Sequence, residues 1–217
     1  MARWYLALVA VAMALLVSPV TAAPKPVKPK PGQLTTTDLR TCMGLNNSTP
    51  AEQVPACTKI LKSGSVKHPY EADYYATRGA AYLALDKLDE ALADLTKAIS
   101  VRPGAEFYFQ RALIRLGRNE PSEAKADLDQ SIKLKPQFAT SHMMRGLIAY
   151  REGNYAEAQS FFDNAAKRKA NYIQAIYGRG VARKRNGDDK GGDKDIADAR
   201  AMSQHADEDG KKLGLIP

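Results

Sequence analysis

Several features that would mark an enzyme are missing from this sequence. Its 217 residues hold no G-x-S-x-G elbow, no H-E-x-x-H pair, no Walker loop and no glycine-rich dinucleotide turn, so the common catalytic frameworks have no foothold. Only three histidines occur, His68, His142 and His205, and they are scattered; with just Cys42 and Cys57 beside them, no zinc or iron–sulfur spacing exists. Carboxylates fall at the spacing of solvated helix faces. No catalytic residue, metal or cofactor is expected, and a non-enzymatic protein is.

Long apolar runs are also scarce. The one present opens the chain: Arg3, then Trp4 to Val17 without a charge, a break at Ser18-Pro19, and small residues at Val20-Thr21-Ala22. That order reads as a secretory signal peptide over residues 1–22, cut after Ala22. A membrane-spanning helix needs about 20 apolar residues, and this run is shorter. No lipobox cysteine follows it. The expected compartment is therefore exported, a bacterial periplasm first and secretion as the alternative. Membrane contact is expected only through the cleaved leader or weak surface attraction.

The rest is an ordinary globular composition, 44% hydrophobic and 26% charged. The leader takes only Arg3 from the 32 basic residues, so 31 stand against 24 acidic ones, a net charge of +7. Export argues against nucleic acid as the partner of that charge and points to anionic surfaces or acidic protein segments. An even pair of cysteines in an exported chain reads as a disulfide. Closing the loop from Cys42 to Cys57 is worth about 3 kcal/mol by chain entropy.

Residues 23–36 alternate proline with lysine (Pro24, Lys25, Pro26, Lys28, Pro29, Lys30, Pro31), which reads as a semi-rigid extended linker. Residues 37–68 suggest a degenerate helical hairpin. Its first helix is expected from Asp38 to about Leu45. Its second is marked by Thr49, Pro50 and Glu52 as cap, first turn and capping box, and ends at Gly64. Pro55 should kink that second helix. The spacing puts the two cysteines opposite each other across the hairpin, which is read as an N-terminal cap.

A pattern then repeats. Gly79 is followed at fixed offsets by Ala91, Leu95, Ala98 and Pro103. Ala112 is followed by Ala124, Leu128, Ser131 and Pro136. Gly146 is followed by Ala158, Phe162 and Ala165, and Gly180 by Gly192, Ile196 and Ala199. The period is 33 to 34 residues. This skeleton resembles the tetratricopeptide repeat, a helix–turn–helix unit that stacks into a solenoid. The resemblance implies an all-α, right-handed superhelical solenoid with four repeats over residues 69–206 and a tail over 207–217. No separate capping helix is expected in that tail, though its apolar end could lie against the last repeat. The Gly191-Gly192 pair costs about 1 kcal/mol per residue relative to alanine, so the last helix of the array is expected to be its weakest. Arg78, Arg111, Arg145 and Arg179 each precede the small residue of a first helix, and Asp94, Asp127 and Asp195 precede the large apolar residue of a second helix. These registers suggest internal ion pairs; Phe161 replaces the aspartate in the third repeat, so Arg145 is expected to lack its partner.

In the family, first helices line a concave groove. Carried over residue by residue, the first repeat contributes Asp73, Ala76, Ala80, Leu83 and Ala84. The large side chains of the later repeats form an apolar stripe: Phe109, Leu113, Leu116, Met143, Leu147, Tyr150, Tyr177 and Val181, with a basic end at Arg151, Lys184 and Arg185. A stripe of this size usually marks an interaction site. The resemblance therefore implies a protein-binding scaffold that takes a protein or an extended peptide with an acidic end. Two other classes compete: a self-associating structural subunit of an envelope complex, and a nucleic-acid-binding helical repeat suggested by a pI near 9.4, against which the leader argues.

Overall fold

The computed structural model describes residues 33–66 and 68–216. The leader over residues 1–22 and most of the proline–lysine linker lie outside the described residues. From Leu34 onward the chain is helix joined by short turns. Among the described residues there are eleven helices and no strand: α1 Thr36–Cys42, α2 Pro50–Lys62, α3 Glu71–Ala84, α4 Leu88–Val101, α5 Ala105–Gly117, α6 Pro121–Leu134, α7 Ala139–Arg151, α8 Tyr155–Arg168, α9 Ile173–Arg185, α10 Asp189–Met202 and α11 Ala206–Lys212. None is long and apolar enough to cross a membrane.

The N-terminal hairpin is α1 and α2. Helix α1 starts earlier than the sequence suggests because Thr35 and Asp38 close a capping box: the Asp38 N–H donates to Thr35 Oγ1 at 3.0 Å and the Thr35 N–H to Asp38 Oδ2 at 2.8 Å. It stops before Gly44, whose φ of +71° no helix accepts. The Lys59 ammonium donates to Asp38 Oδ2 at 2.7 Å, joining the two helices and holding the Asp38 carboxyl below its ordinary range. Helix α2 begins at Pro50 and has the expected reach-back of Glu52 to the Thr49 N–H, at 2.8 Å. It runs on through Pro55, whose ring is exposed, to Lys62. Cys42 and Cys57 are bonded to each other and fully buried, in one cluster with Ala56 and Ile60.

Four hairpins follow, α3/α4, α5/α6, α7/α8 and α9/α10, each packed on the next. Leu95, Leu128, Phe162 and Ile196, the large residues of the second helices, are all buried. Phe162 is wider than the others, and glycines on both sides of it make room. A Cβ on Gly146 would stand 2.7 Å from its ring, and one on Gly178 would stand 3.0 Å from it. Gly192 likewise permits a close approach: a Cβ there would lie 2.6 Å from the Gly180 carbonyl oxygen. Asn154 stands at the N-cap of α8, but its side chain does not bond the first turn and donates its amide to Glu152 at 3.3 Å.

The arginine register joins three helices at once. Arg78 meets Asp94 through two nitrogens at 2.7 and 2.8 Å, Arg111 meets Asp127 at 2.9 and 2.7 Å, and Arg179 meets Asp195 at 2.8 and 2.7 Å. Their remaining nitrogens reach back to the preceding hairpin, at Thr58, Thr96 and Asp163 respectively. Hydrogen bonding to the carboxylates pushes Arg78 and Arg179 above the ordinary guanidinium range. Arg145, expected to be without a partner, takes Asp129 at 2.6 Å and Glu157 at 3.1 Å and lies over the Phe161 ring at 4.6 Å. The aromatic face stands where the missing aspartate would be.

Beyond α10 the expectation of a tail without a helix fails. Ala206 begins α11, 33 residues after the start of α9, where the first helix of another repeat would begin. It lasts seven residues, turns at Gly214 with φ +76° and buries Leu215 completely.

Candidate functional site

The first helices α3, α5, α7 and α9 line one face of the array, and its two halves differ. At the N-terminal end the face is open. Ala76, Ala80 and Ala84 form its floor on α3, Met43, Pro50 and Gln53 of the capping hairpin form one wall, and Phe107 and Gln110 of α5 form the other. The space enclosed is about 410 Å³. A residue this small every fourth position leaves a trough on a helix surface. Its rim is polar: Arg102 donates to Asp73 at 2.5 Å while lying over the Phe107 ring at 5.3 Å, and the Thr77 hydroxyl donates to the Asp73 carbonyl at 2.7 Å. The Gln110 side-chain oxygen is buried with no hydrogen-bond partner among the described residues.

At the C-terminal end the chain covers its own face. Met143, Leu147, Tyr177 and Val181 are between 0 and 4% exposed, in a single cluster with Ala206 and Leu215 of the C-terminal segment. Gly210 of α11 lies on the Tyr177 ring so closely that a Cβ would come within 2.3 Å of it. Burial, together with a hydrogen bond to Asp207, raises the Tyr177 phenol above its ordinary range. The Tyr150 hydroxyl donates to the Ile216 carbonyl at 3.1 Å and Arg185 donates to the same oxygen at 3.2 Å.

The stripe expected to bind a partner is therefore split. Met143, Leu147, Tyr177 and Val181 are core, because α11 and Leu215 occupy the space in front of them, and this corrects their assignment as an exposed partner surface. Tyr150 and Arg185 hold the chain's own tail. Lys184 pairs with Asp193 at 2.7 Å. Phe109 is half-buried and packs on Phe138, ring centroids 5.2 Å apart. Leu113 is also half-buried. Leu116 and Arg151 come together, with Ile148, Pro121, Asn119 and Glu152, around a separate space of about 280 Å³. The basic cluster is thus not one free patch.

The sequence places the alanine half on the groove but gives it no part in binding. Ala76, Ala80 and Ala84 lie in the same register as the large residues, but they carry no bulk that would mark an anchor. Large side chains at these positions fill the groove, and small ones leave it open. Met43, Gln53, Phe107 and Gln110 complete the trough from outside that register, so no spacing rule names them. Among the described residues no group of three or more His, Cys, Asp or Glu side chains is placed to hold a metal ion.

Comparison with known proteins agrees with this architecture. A model of the tetratricopeptide repeat matches residues 72–104, 105–138 and 139–172. Among solved structures, a MamA protein superposes with a TM-score of 0.63 and 20% identity, covering 83% of this chain and 93% of that one. YrrB, described as a TPR protein with an unusual peptide-binding site, gives 0.65 and 16%, covering 84% and 94%. MamA residues 41 to the end from Desulfovibrio magneticus RS-1 give 0.64 and 14%, covering 75% and 90%. No curated protein matches the chain.

Proposed function

This chain is a tetratricopeptide repeat protein, with matched repeats over residues 72–172, and from that premise we propose that it is a non-enzymatic scaffold whose partner is a protein or peptide segment held in the open half of the groove. The observation that carries the reading is the trough over Ala76, Ala80 and Ala84, about 410 Å³ and mostly apolar in its lining residues, with Met43 and Phe107 as walls. A space of that size suits one or two bulky apolar side chains of an extended segment. Burial of such anchors supplies most of the affinity at an interface of this kind. The Asp73–Arg102 pair at the rim supplies polar contacts that set orientation more than affinity.

The compartment belongs to the same proposal: the chain works after export, in a periplasm or outside the cell. The leader-like start and the Cys42–Cys57 disulfide support that placement, since disulfides persist in oxidising compartments. The partner is not nucleic acid in this reading, and no metal or cofactor takes part.

A photo-crosslinking residue at position 80 tests it in the cells that make the protein. Crosslinks to one partner are expected from position 80 and not from position 160, on the second helix α8. Ala84→Arg, added to the chain that carries the crosslinker and filling the trough beside it, should abolish capture while far-UV circular dichroism is unchanged. Equal capture by the Arg variant would place the partner elsewhere and end this reading.

A further inference from the structure

The covered half of the groove goes beyond that reading, because the segment that covers it is short and displays its own contact chemistry. Helix α11 has seven residues, against thirteen or fourteen in each of α3, α5, α7 and α9. An isolated helix needs about 12–15 residues to be stable in water, so α11 owes its shape to its seat. Three contacts define the seat. Asp207 receives two hydrogen bonds from the exposed Arg200, both at 3.0 Å, and one from the Tyr177 hydroxyl. Gly210 lies on the Tyr177 ring with no space for a side chain. Leu215 is fully buried among Met143, Leu147, Tyr177 and Val181 of the same cluster, and the next carbonyl, that of Ile216, is held by Tyr150 and Arg185.

A glycine inside so short a helix lowers its intrinsic stability, so its presence serves the contact with Tyr177. Among the described residues the attachment of α11 consists of an aliphatic anchor, a glycine contact and polar bonds at the surface.

We propose that Ala206–Ile216 is a replaceable occupant of the groove, and that the partner replacing it is a chain segment of the same chemistry. That segment carries an acidic side chain for Arg200 and Tyr177, a glycine three residues later for the face of the Tyr177 ring, and an aliphatic side chain five residues after that for the Leu215 seat. Its main chain continues toward Tyr150 and Arg185. Departure of the tail lengthens the free groove from the two N-terminal repeats to all four.

The test uses the full chain and, as the probe, a fluorescent peptide of residues 203–217. The wild-type chain has its seat filled and should bind the peptide at least tenfold more weakly than a full chain carrying Leu215→Asp. A peptide with Leu215→Asp should bind neither. Equal uptake by the two chains overturns the proposal, as does a Leu215→Asp chain that keeps its helicity and takes up no peptide. Should that variant lose helicity beyond α11, hydrogen exchange of the wild type decides. Amides of 207–216 exchanging well ahead of those in α9 support a seat that opens by itself, and equal protection overturns it. Crosslinking at position 80 reads the open half only, so failure there and failure here are separate results.

Discussion

Arg111 and Arg115 both donate to Asp127, at 2.7 and 2.8 Å, and the carboxylate side chain is only 3% exposed. Removing the acid leaves two guanidinium groups, each under a quarter exposed, without their counter-charge. Breaking one side of such a buried pair is more damaging than replacing both. Asp127→Ala should therefore destabilise the chain by roughly 3 kcal/mol, read as a lower urea midpoint at constant slope. Lys125→Ala, which removes an exposed pair with Glu152 at 2.9 Å, should cost about 0.5 kcal/mol or less. His142 gives the pH counterpart. Burial lowers its pKa, outweighing the Pro136 carbonyl that accepts from its ring at 3.0 Å, and Arg168 adds a like charge. With a folded pKa below the unfolded value of about 6.5, the unfolded state binds more protons as pH falls. Stability should then drop as pH goes from 7 toward 5. The melting temperature of His142→Phe should fall less over that interval; an identical fall would mean that other groups set it. The sequence makes the arginine–aspartate register legible because charge repeats with the period. It hides the partners of Arg145, since Asp129 and Glu157 stand outside that register.

Helix pairs show how one substitution is absorbed by another. In three of the four repeats the large residue of the second helix is Leu95, Leu128 or Ile196, and in the third it is Phe162, with Gly146 and Gly178 on either side. Gly146→Ala puts a methyl group 2.7 Å from that ring, and overpacking of this kind costs about 1–3 kcal/mol. Adding Phe162→Leu should recover most of the loss, because Ala112 already packs beside Leu128 in the second repeat. Additive losses in the double variant would show that ring and glycine are not coupled. The capping hairpin depends on a different device. Reducing Cys42–Cys57 frees a loop of sequence separation 15 and should lower stability by about 3 kcal/mol. The change should first be visible in exchange of α1 and α2 amides. Helix positions and the hairpin were legible because caps, prolines and apolar period agree. The open trough was not, because its character comes from three alanines and from walls on two other elements.

Across the whole array, the seam between the second and third repeats is unlike the others. At the first seam Ala98 and Phe107 lie in one buried apolar cluster, and at the third Ala165 and Ala175 do. At the second seam the same two places hold Ser131 and Ser141, both fully buried, with hydroxyls 2.7 Å apart. One hydroxyl donates to the other, so the pair is tolerated, but it contributes less than apolar contact of the same area. Ile148 and Met144 carry the apolar bridge there, in the cluster with Leu128. C-terminal to that seam lies the largest cluster, from Met143 to Leu215, which includes Ile196 and Ala199 of α10. The glycine pair that reads in sequence as a weak last helix is therefore offset by burial, Gly192 against Gly180 and α11 at the array's end. Native-state exchange should divide the molecule near residue 136, with α10 protected at least as well as α4. Faster exchange throughout α10 would restore the weak-end reading. The seam itself can be tested by hydroxyl deletion. Ser131→Ala alone leaves the Ser141 hydroxyl buried without its partner and should cost about 1–3 kcal/mol, whereas removing both hydroxyls should be close to neutral. The double variant should also lose the division in exchange near residue 136, because the polar seam that creates it would be gone.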